Sequence, residues 1–339
     1  MTPPFLFAEL CAGTAALSLR LHGGKHARPP VSRMGNKQGY AAAILRCLGL
    51  RSGSGAARYL WCEPDDGARL LLESYRSAEI RRKAAEIIRG WKDEDPRALW
   101  ERLKAEGPVK APPVDPREVA RWILRASWSY EQGNTKTGFV GPGDRRKDTR
   151  AVSVSVSVAR LPPLPATIAP DARAVDPREV ARWLTVKRLT IPQADARGAT
   201  SSDYNGGKPM TLQGQAQTFL TLPTLPASIL PDARDIDPPQ LPPGSVVYID
   251  PPYVNTTGYA HDLGRDAVCE IAERWAIAGA WVVISEAEPL AELGWHQVEI
   301  TGERVGQKRT FSKQQREYLT SSRPFAWRPS VQSRLWGAA

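Results

Sequence analysis

Asp250-Pro251-Pro252-Tyr253 is the stretch of this 339-residue sequence whose residue types point most directly to chemistry. Asp250 offers a carboxylate that only accepts hydrogen bonds, the Pro251 carbonyl is one that no helix will use, and Tyr253 adds an aromatic face. The set fits an exocyclic amine on a flat heterocycle. Asp250 and the Pro251 carbonyl take the two amine hydrogens, while Tyr253 stacks on the ring. The amine lone pair is thereby turned towards an electrophile, and such orientation contributes roughly 7–11 kcal/mol to a transfer. A plain proline-rich turn after a core strand would use the same residues, so the weight of the stretch depends on what surrounds it.

The residues before it, Val246-Val247-Tyr248-Ile249, form a short apolar run that predicts a buried strand of a parallel sheet. The two prolines end that strand and hold a rigid loop at its carboxyl end, where open α/β sheets place their ligands. Two strand–acid–turn units near the N-terminus could complete a site. Phe5-Leu6-Phe7-Ala8 runs into Glu9, and Gly13 opens a turn before the helical pattern Ala16-Leu17-Ser18-Leu19. Gly13 allows close approach of a ligand to the backbone, and Glu9 can accept from a hydroxyl or ammonium group. Arg58 to Cys62 runs into Glu63-Pro64-Asp65, where a Rossmann-type site grips ribose hydroxyls. Glu63 is the first choice for that contact and Asp65 the second, because Asp65 also suits an ordinary helix N-cap. Between the units, Arg33-Met34-Gly35-Asn36-Lys37 precedes a helical run from Ala41. Free N–H groups and an ammonium there suit a carboxylate, with a solvated surface lysine as the plainer reading.

Taken together, these stretches resemble the motifs of Dam-like DNA adenine methyltransferases. Phe7-Ala8-Glu9-Leu10-Cys11-Ala12-Gly13-Thr14-Ala15 is similar to that family's Glu-Pro-Phe-x-Gly-x-Gly donor motif. Met34-Gly35-Asn36-Lys37 is similar to its Gly-Gly-Lys motif, Trp61 to Asp65 to its acidic second-strand motif, and Asp250 to Tyr253 is identical to its catalytic motif. The resemblance implies an α/β, Rossmann-like seven-stranded methyltransferase sheet and S-adenosyl-L-methionine as methyl donor, with no metal. It further implies transfer to adenine N6 of a base flipped out of double-stranded DNA. Lys37 would hold the donor's methionine end, Glu63 its ribose, and Asp250 would stand between donor and acceptor. Three features depart from the pattern. Leu10-Cys11 replaces Pro-Phe, and Arg33, counted with the donor-binding residues, stands where the family has an aromatic side chain. The lysine motif also lies between the first two strand units and not ahead of them.

Composition agrees with a polyanionic partner: 46 Lys and Arg against 36 Asp and Glu give a formal charge of +10. The four cysteines are scattered, with no Cys-x-x-Cys pair and no histidine cluster. That spacing argues against zinc and a disulfide framework, with a reducing cytoplasm as the default, and the resemblance implies a bacterial cell or a phage-infected host. No signal-peptide pattern and no run of about 18 apolar residues occurs, so a soluble protein is expected.

The middle of the chain is duplicated. Asp115-Pro116-Arg117-Glu118-Val119-Ala120-Arg121-Trp122 recurs unchanged from Asp176 to Trp183, and Leu164 to Arg173 recurs with small changes from Leu225 to Arg234, both at an offset of 61 residues. Two adjacent copies, 115–175 and 176–236, result. Each opens on a capping-box pattern of Asp, Pro and Glu, then diverges into polar loops. Lys136, Arg145, Arg146, Lys147 and Lys208 in those loops are of the type that contacts phosphates. Residues 1–110 and 237–339 are expected to form the methyltransferase core, with 111–236 as an inserted target-recognition region, the place such a region occupies in the Dam-like family. The tail of the second copy would add a strand whose acid, Asp232, lies near the donor's adenine.

After the catalytic loop, a helix capped by Asp266, a buried strand at Ala280–Ile284 and closing strands at Trp295–Ile300 and Glu317–Thr320 are expected. The basic stretch 302–316, with Lys308 and Arg309, could clamp phosphate. Arg81-Arg82-Lys83 is read as the solvated face of a helix. Cytosine N4, RNA or a protein amide are rival acceptors, and a DNA-binding module with a dead donor site is the rival from another class. A monomer or weak dimer suits an asymmetric DNA site.

Overall fold

The computed structural model describes residues 5–31, 37–109, 113–129, 139, 211–252, 263–300 and 317–327. Its centre is a seven-stranded mixed sheet. In chain order the strands are β1 (Leu6–Leu10), β2 (Arg58–Cys62), β3 (Ala227–Leu230), β4 (Val246–Ile249), β5 (Trp281–Glu286), β6 (His296–Ile300) and β7 (Glu317–Ser321). Across the sheet the order is β3-β2-β1-β4-β5-β7-β6. Pairings from β3 to β5 are parallel, whereas β7 runs antiparallel to both β5 and β6. The chain adds strands one way from β1 to β3 and the other way from β4 to β5, so the topological switch point lies between β1 and β4.

Strand parity assigns the two faces. Phe7, Tyr59, Trp61, Val246, Tyr248 and Val283 face one core, and Ala8, Leu10, Leu60, Val247, Ile249 and Ile284 face the other. The central strands β1 and β4 are buried along their whole length, which is why they read as continuous apolar runs. The first face is covered by α1 (Ala16–Gly23), α2 (Ala41–Cys47), α3 (Asp66–Tyr75) and α4 (Ala78–Gly90). α5 (Pro96–Ala105), α6 (Pro116–Ser127) and α7 (Leu212–Leu220) join the same core. The second face is covered by α8 (Arg265–Ile277) through Val268, Ile271, Ala272 and Trp275.

Helix starts follow short polar side chains. Asp65, Ser77, Asp95 and Asp115 each accept a backbone N–H at the N-terminus of α3, α4, α5 and α6, with Pro96 and Pro116 in the first turns of α5 and α6. Two details differ from the sequence expectation. Glu118 is hydrogen-bonded to Arg121 instead of reaching back to complete a capping box. The N-cap of α8 is Gly264, which places Asp266 inside the first turn. The charge run on α4 also divides. Arg82 and Lys83 pair with Glu86 and Glu79 at the surface. Arg81 is buried and donates to the carbonyls of Ser74, Tyr75 and Leu222 and to Thr224.

The compact unit takes in more of the middle of the chain than the expected core of 1–110 and 237–339. Met1–Pro142 and Pro209–Ala339 cluster as one unit. α6, α7 and β3 come from the 111–236 stretch, yet they bury Val119, Ala120, Ile123, Leu124, Ala216 and Phe219 in the main core. Their apolar faces need a partner, and the sheet supplies it. The second unit, Gly143–Lys208, falls outside the described residues. Among the described residues no helix is long and apolar enough to cross a membrane.

Candidate active site

Three strands end side by side at the switch point, and backbone hydrogen bonds continue the pairing past their ends. Ala12 N–H donates to the Cys62 carbonyl (2.8 Å), Asp250 N–H to the Leu10 carbonyl (3.1 Å) and Glu63 N–H to the Leu230 carbonyl (3.1 Å). The exits of β1, β2 and β4 therefore lie next to one another, which brings residues 9–13, 63 and 250 to one edge of the sheet.

The turn after β1 is tightly coiled. Cys11, Gly13 and Ala15 all have positive φ, at 59°, 53° and 49°. This conformation costs an L-residue of order 1 kcal/mol or more, so Cys11 and Ala15 hold backbone strain while Gly13 adopts it freely. A Cβ added at Gly13 would meet nothing within 4 Å among the described residues, which leave the space over this turn open. The Gly13 N–H donates to Glu63 Oε2 at 2.6 Å, and Asp65 N–H donates to Glu63 Oε1 at 3.1 Å. Glu63 thus ties the second strand exit to the glycine turn of the first. Asp65 takes the plainer of its two expected roles, since its carboxylate accepts from Ala68 N–H at 2.7 Å as the cap of α3.

Glu9 is buried within β1. Its carboxylate accepts from Ser18 N–H at 2.6 Å, beneath the first turn of α1. That helix lacks a side-chain cap of its own, so an acid from the strand serves its positive end. Burial pushes the Glu9 carboxyl up to about 7, with hydrogen bonds from Ser18 pulling it down and Asp250 adding repulsion.

Lys37 enters from a short 3₁₀ turn, Lys37–Gly39, and is 4 % exposed. Its Nζ lies 2.6 Å from Asp250 Oδ1 and 3.6 Å from Glu317 Oε1. The resemblance assigns Lys37 to the donor's methionine end; here its ammonium lies between two carboxylates. Pro251 is buried and Pro252 half-buried. At the end of β5, Glu286 is also buried, and burial with repulsion from Asp250 pushes its carboxyl up to about 8 against the pull of Lys37. Ser285 donates a short hydrogen bond to Glu317.

Asp232 lies just past the end of β3, an edge strand, and is ion-paired with Arg234 at 2.5 Å. It still acts on the crevice. The Cys11 thiol is pushed well up by burial, then by Glu63, Cys62, Asp250 and Asp232 in that order. Cys11 stands among the acids from three strand exits.

No protein-family model and no curated protein matches this chain. Chemistry and geometry therefore carry the assignment of roles. Among the described residues, no three His, Cys, Asp or Glu side chains are placed to share a metal ion. Arg33 and Tyr253 lie outside the described residues, as do Lys136, Arg145, Arg146, Lys147, Lys208, Lys308 and Arg309.

Sequence reasoning missed Glu286, Ser285 and Glu317 as members of this cluster. The signal was present as acids at the ends of otherwise apolar strands. It becomes readable only once β7 is known to lie beside β5.

Proposed function

We propose that the protein moves a methyl group from S-adenosyl-L-methionine to the exocyclic amine of a DNA base, adenine N6 foremost. The observation that carries this reading is the Lys37–Asp250 pair at the β1/β4 switch point. It joins two motifs separated by more than half the chain, at the place where open α/β sheets bind their ligands.

The donor fits the residues around the crevice. Open space over Gly13 would admit a ligand against the backbone, and Glu63, which accepts from the Gly13 N–H, would also accept from ribose hydroxyls there. When bound, S-adenosyl-L-methionine would supply the methyl carbon, the C–S bonding pair staying on sulfur, while the amine nitrogen would provide the new pair and release one proton to water. Asp250 would accept one amine hydrogen and the Pro251 carbonyl the other, which orients the lone pair away from both. Lys37 holds the Asp250 carboxylate in place as an acceptor. The target base must leave the stack to reach this loop, at a cost of a few kcal/mol, and Tyr253 would receive its ring. The basic loop residues would grip the phosphates, and a monomer acting in the cytoplasm is sufficient for such a reaction.

The test is incubation with unmethylated double-stranded DNA and donor, then digestion to nucleosides and mass spectrometry. N6-methyladenosine as the deoxynucleoside is expected. N4-methylcytosine would keep the mechanism and change the base. No methylated nucleoside from protein that binds the donor would overturn the DNA reading.

A further inference from the structure

We propose that Glu317 is a positioning residue for Asp250 that acts through Lys37. The catalytic consequence rests on the methyl-transfer reading; the placement of Lys37 rests on geometry alone.

Glu317 is the first residue of β7 and is 3 % exposed. Ser285, on the neighbouring strand β5, hydrogen-bonds to the same Oε1 that faces Lys37. Strand β7 is paired on both sides, with Ser285 of β5 opposite Leu319 and Ile300 of β6 opposite Glu317, so Glu317 is held at its backbone by the β6 pairing and at its side chain by Ser285. Asp250 differs in kind, because it begins a loop whose shape is set by two prolines. A buried carboxylate is costly, and an apolar side chain at the start of β7 would be the cheaper choice for stability. The acid instead stands 3.6 Å from Lys37 Nζ, too far for a direct hydrogen bond but close enough for strong attraction. It fixes where the ammonium sits, and the ammonium fixes Asp250 at 2.6 Å. The order of support runs from sheet to Glu317, to Lys37, to the acceptor loop.

This arrangement gives Lys37 a different task from binding the donor's carboxylate. It also sets the Lys37 ammonium against Asp250, whose charge disfavours ionisation of Glu9 and Glu286 on the neighbouring strands.

The variant to make is Glu317→Gln, which keeps an acceptor for Ser285 and removes the charge. Lysine acetylation of the folded proteins, followed by mass spectrometry, reads the placement of Lys37 directly, with the exposed Lys92 as internal standard. Lys37 should label several-fold faster in Glu317→Gln than in the wild type, with Lys92 unchanged. Equal labelling at Lys37 overturns the proposal whether or not the protein methylates DNA. In the kinetic arm, Glu317→Gln should lower kcat about 10- to 100-fold, the scale of a small misplacement, with KM for the donor nearly unchanged. The double variant with Lys37→Gln should be no slower than Lys37→Gln alone. Additive losses would mean that Glu317 acts independently, and the proposal falls. A wild type that labels as expected but transfers no methyl group would sink the proposed function and leave the positioning of Lys37 standing.

Discussion

Asp250 reaches its place through its backbone as well as its side chain. Its N–H extends the β1/β4 ladder onto the Leu10 carbonyl, and its carboxylate pairs with Lys37. Removing the side chain leaves the backbone contact intact. Asp250→Ala should therefore abolish methyl transfer while DNA affinity, measured by fluorescence anisotropy, stays within about threefold of wild type. Loss of both to the same degree would make Asp250 a structural residue. The neighbouring acids lead to a second prediction, on pH. Burial holds the Glu9 and Glu286 carboxyls up at about 7 and about 8, whereas the unfolded chain titrates them near 4.5. Between those values the folded protein keeps protons that the unfolded chain has released, so stability falls as pH rises. Each such carboxyl contributes a slope of about 1.4 kcal/mol per pH unit while the difference lasts. Urea unfolding should show greater stability at about pH 5.5 than at about pH 8, and the difference should shrink in Glu286→Gln. A stability that rises over this range would show that these acids are not held neutral.

The strands and most helix starts were legible in the sequence because their signals are local. The apolar run of β4, the acid after β2 and the Asp-Pro starts of α5 and α6 needed no knowledge of distant residues. What was hidden depends on partners far along the chain. The antiparallel place of β7 between β5 and β6 cannot be read from residues 317–321, and with it went the meaning of Glu317 and Ser285. Arg81 looked like part of a solvated run because the carbonyl it binds at Leu222 lies 141 residues away. Gly67 is a further case. In sequence it is only the start of α3, but a Cβ there would stand 1.8 Å from Trp122 Nε1, on the helix α6 packed against it. A rigid indole cannot yield as a flexible chain would, so Gly67→Ala should cost about 1–3 kcal/mol or more. Trp122→Leu in the same background should recover part of that loss, as coupled neighbours do. Urea midpoints of the two single variants and the double variant would decide; strictly additive costs would place the strain elsewhere.

The duplication has its meaning at the scale of the whole molecule. The sheet unit contains one head of the repeat, Asp115–Trp122 in α6, and one tail, Leu225–Arg234 around β3, and these come from different copies. The second head and the first tail lie outside the described residues. Divergence between the copies fits this division. Leu124 and Ala126 in α6 and Trp128 just after it are buried, but the second copy has Thr185, Lys187 and Leu189 at the corresponding positions, which would put a lysine into the core. The tails have kept their apolar residues, since Leu222, Leu225, Ala227 and Ala233 match Leu161, Leu164, Ala166 and Ala172. One repeat's length of chain is therefore surplus to the sheet unit. Removing residues 143–203 joins Pro142 to Tyr204 in register with the 61-residue offset and touches no described element. The shortened protein should unfold in one cooperative transition, with a Tm within about 2–4 °C of the full chain, the shift expected for a change near 1 kcal/mol in a protein of this size. It should also bind the donor as tightly as the full chain does. A selective fall in DNA affinity would then assign the extra length to target recognition, whereas loss of the cooperative transition would mean that the fold needs both copies.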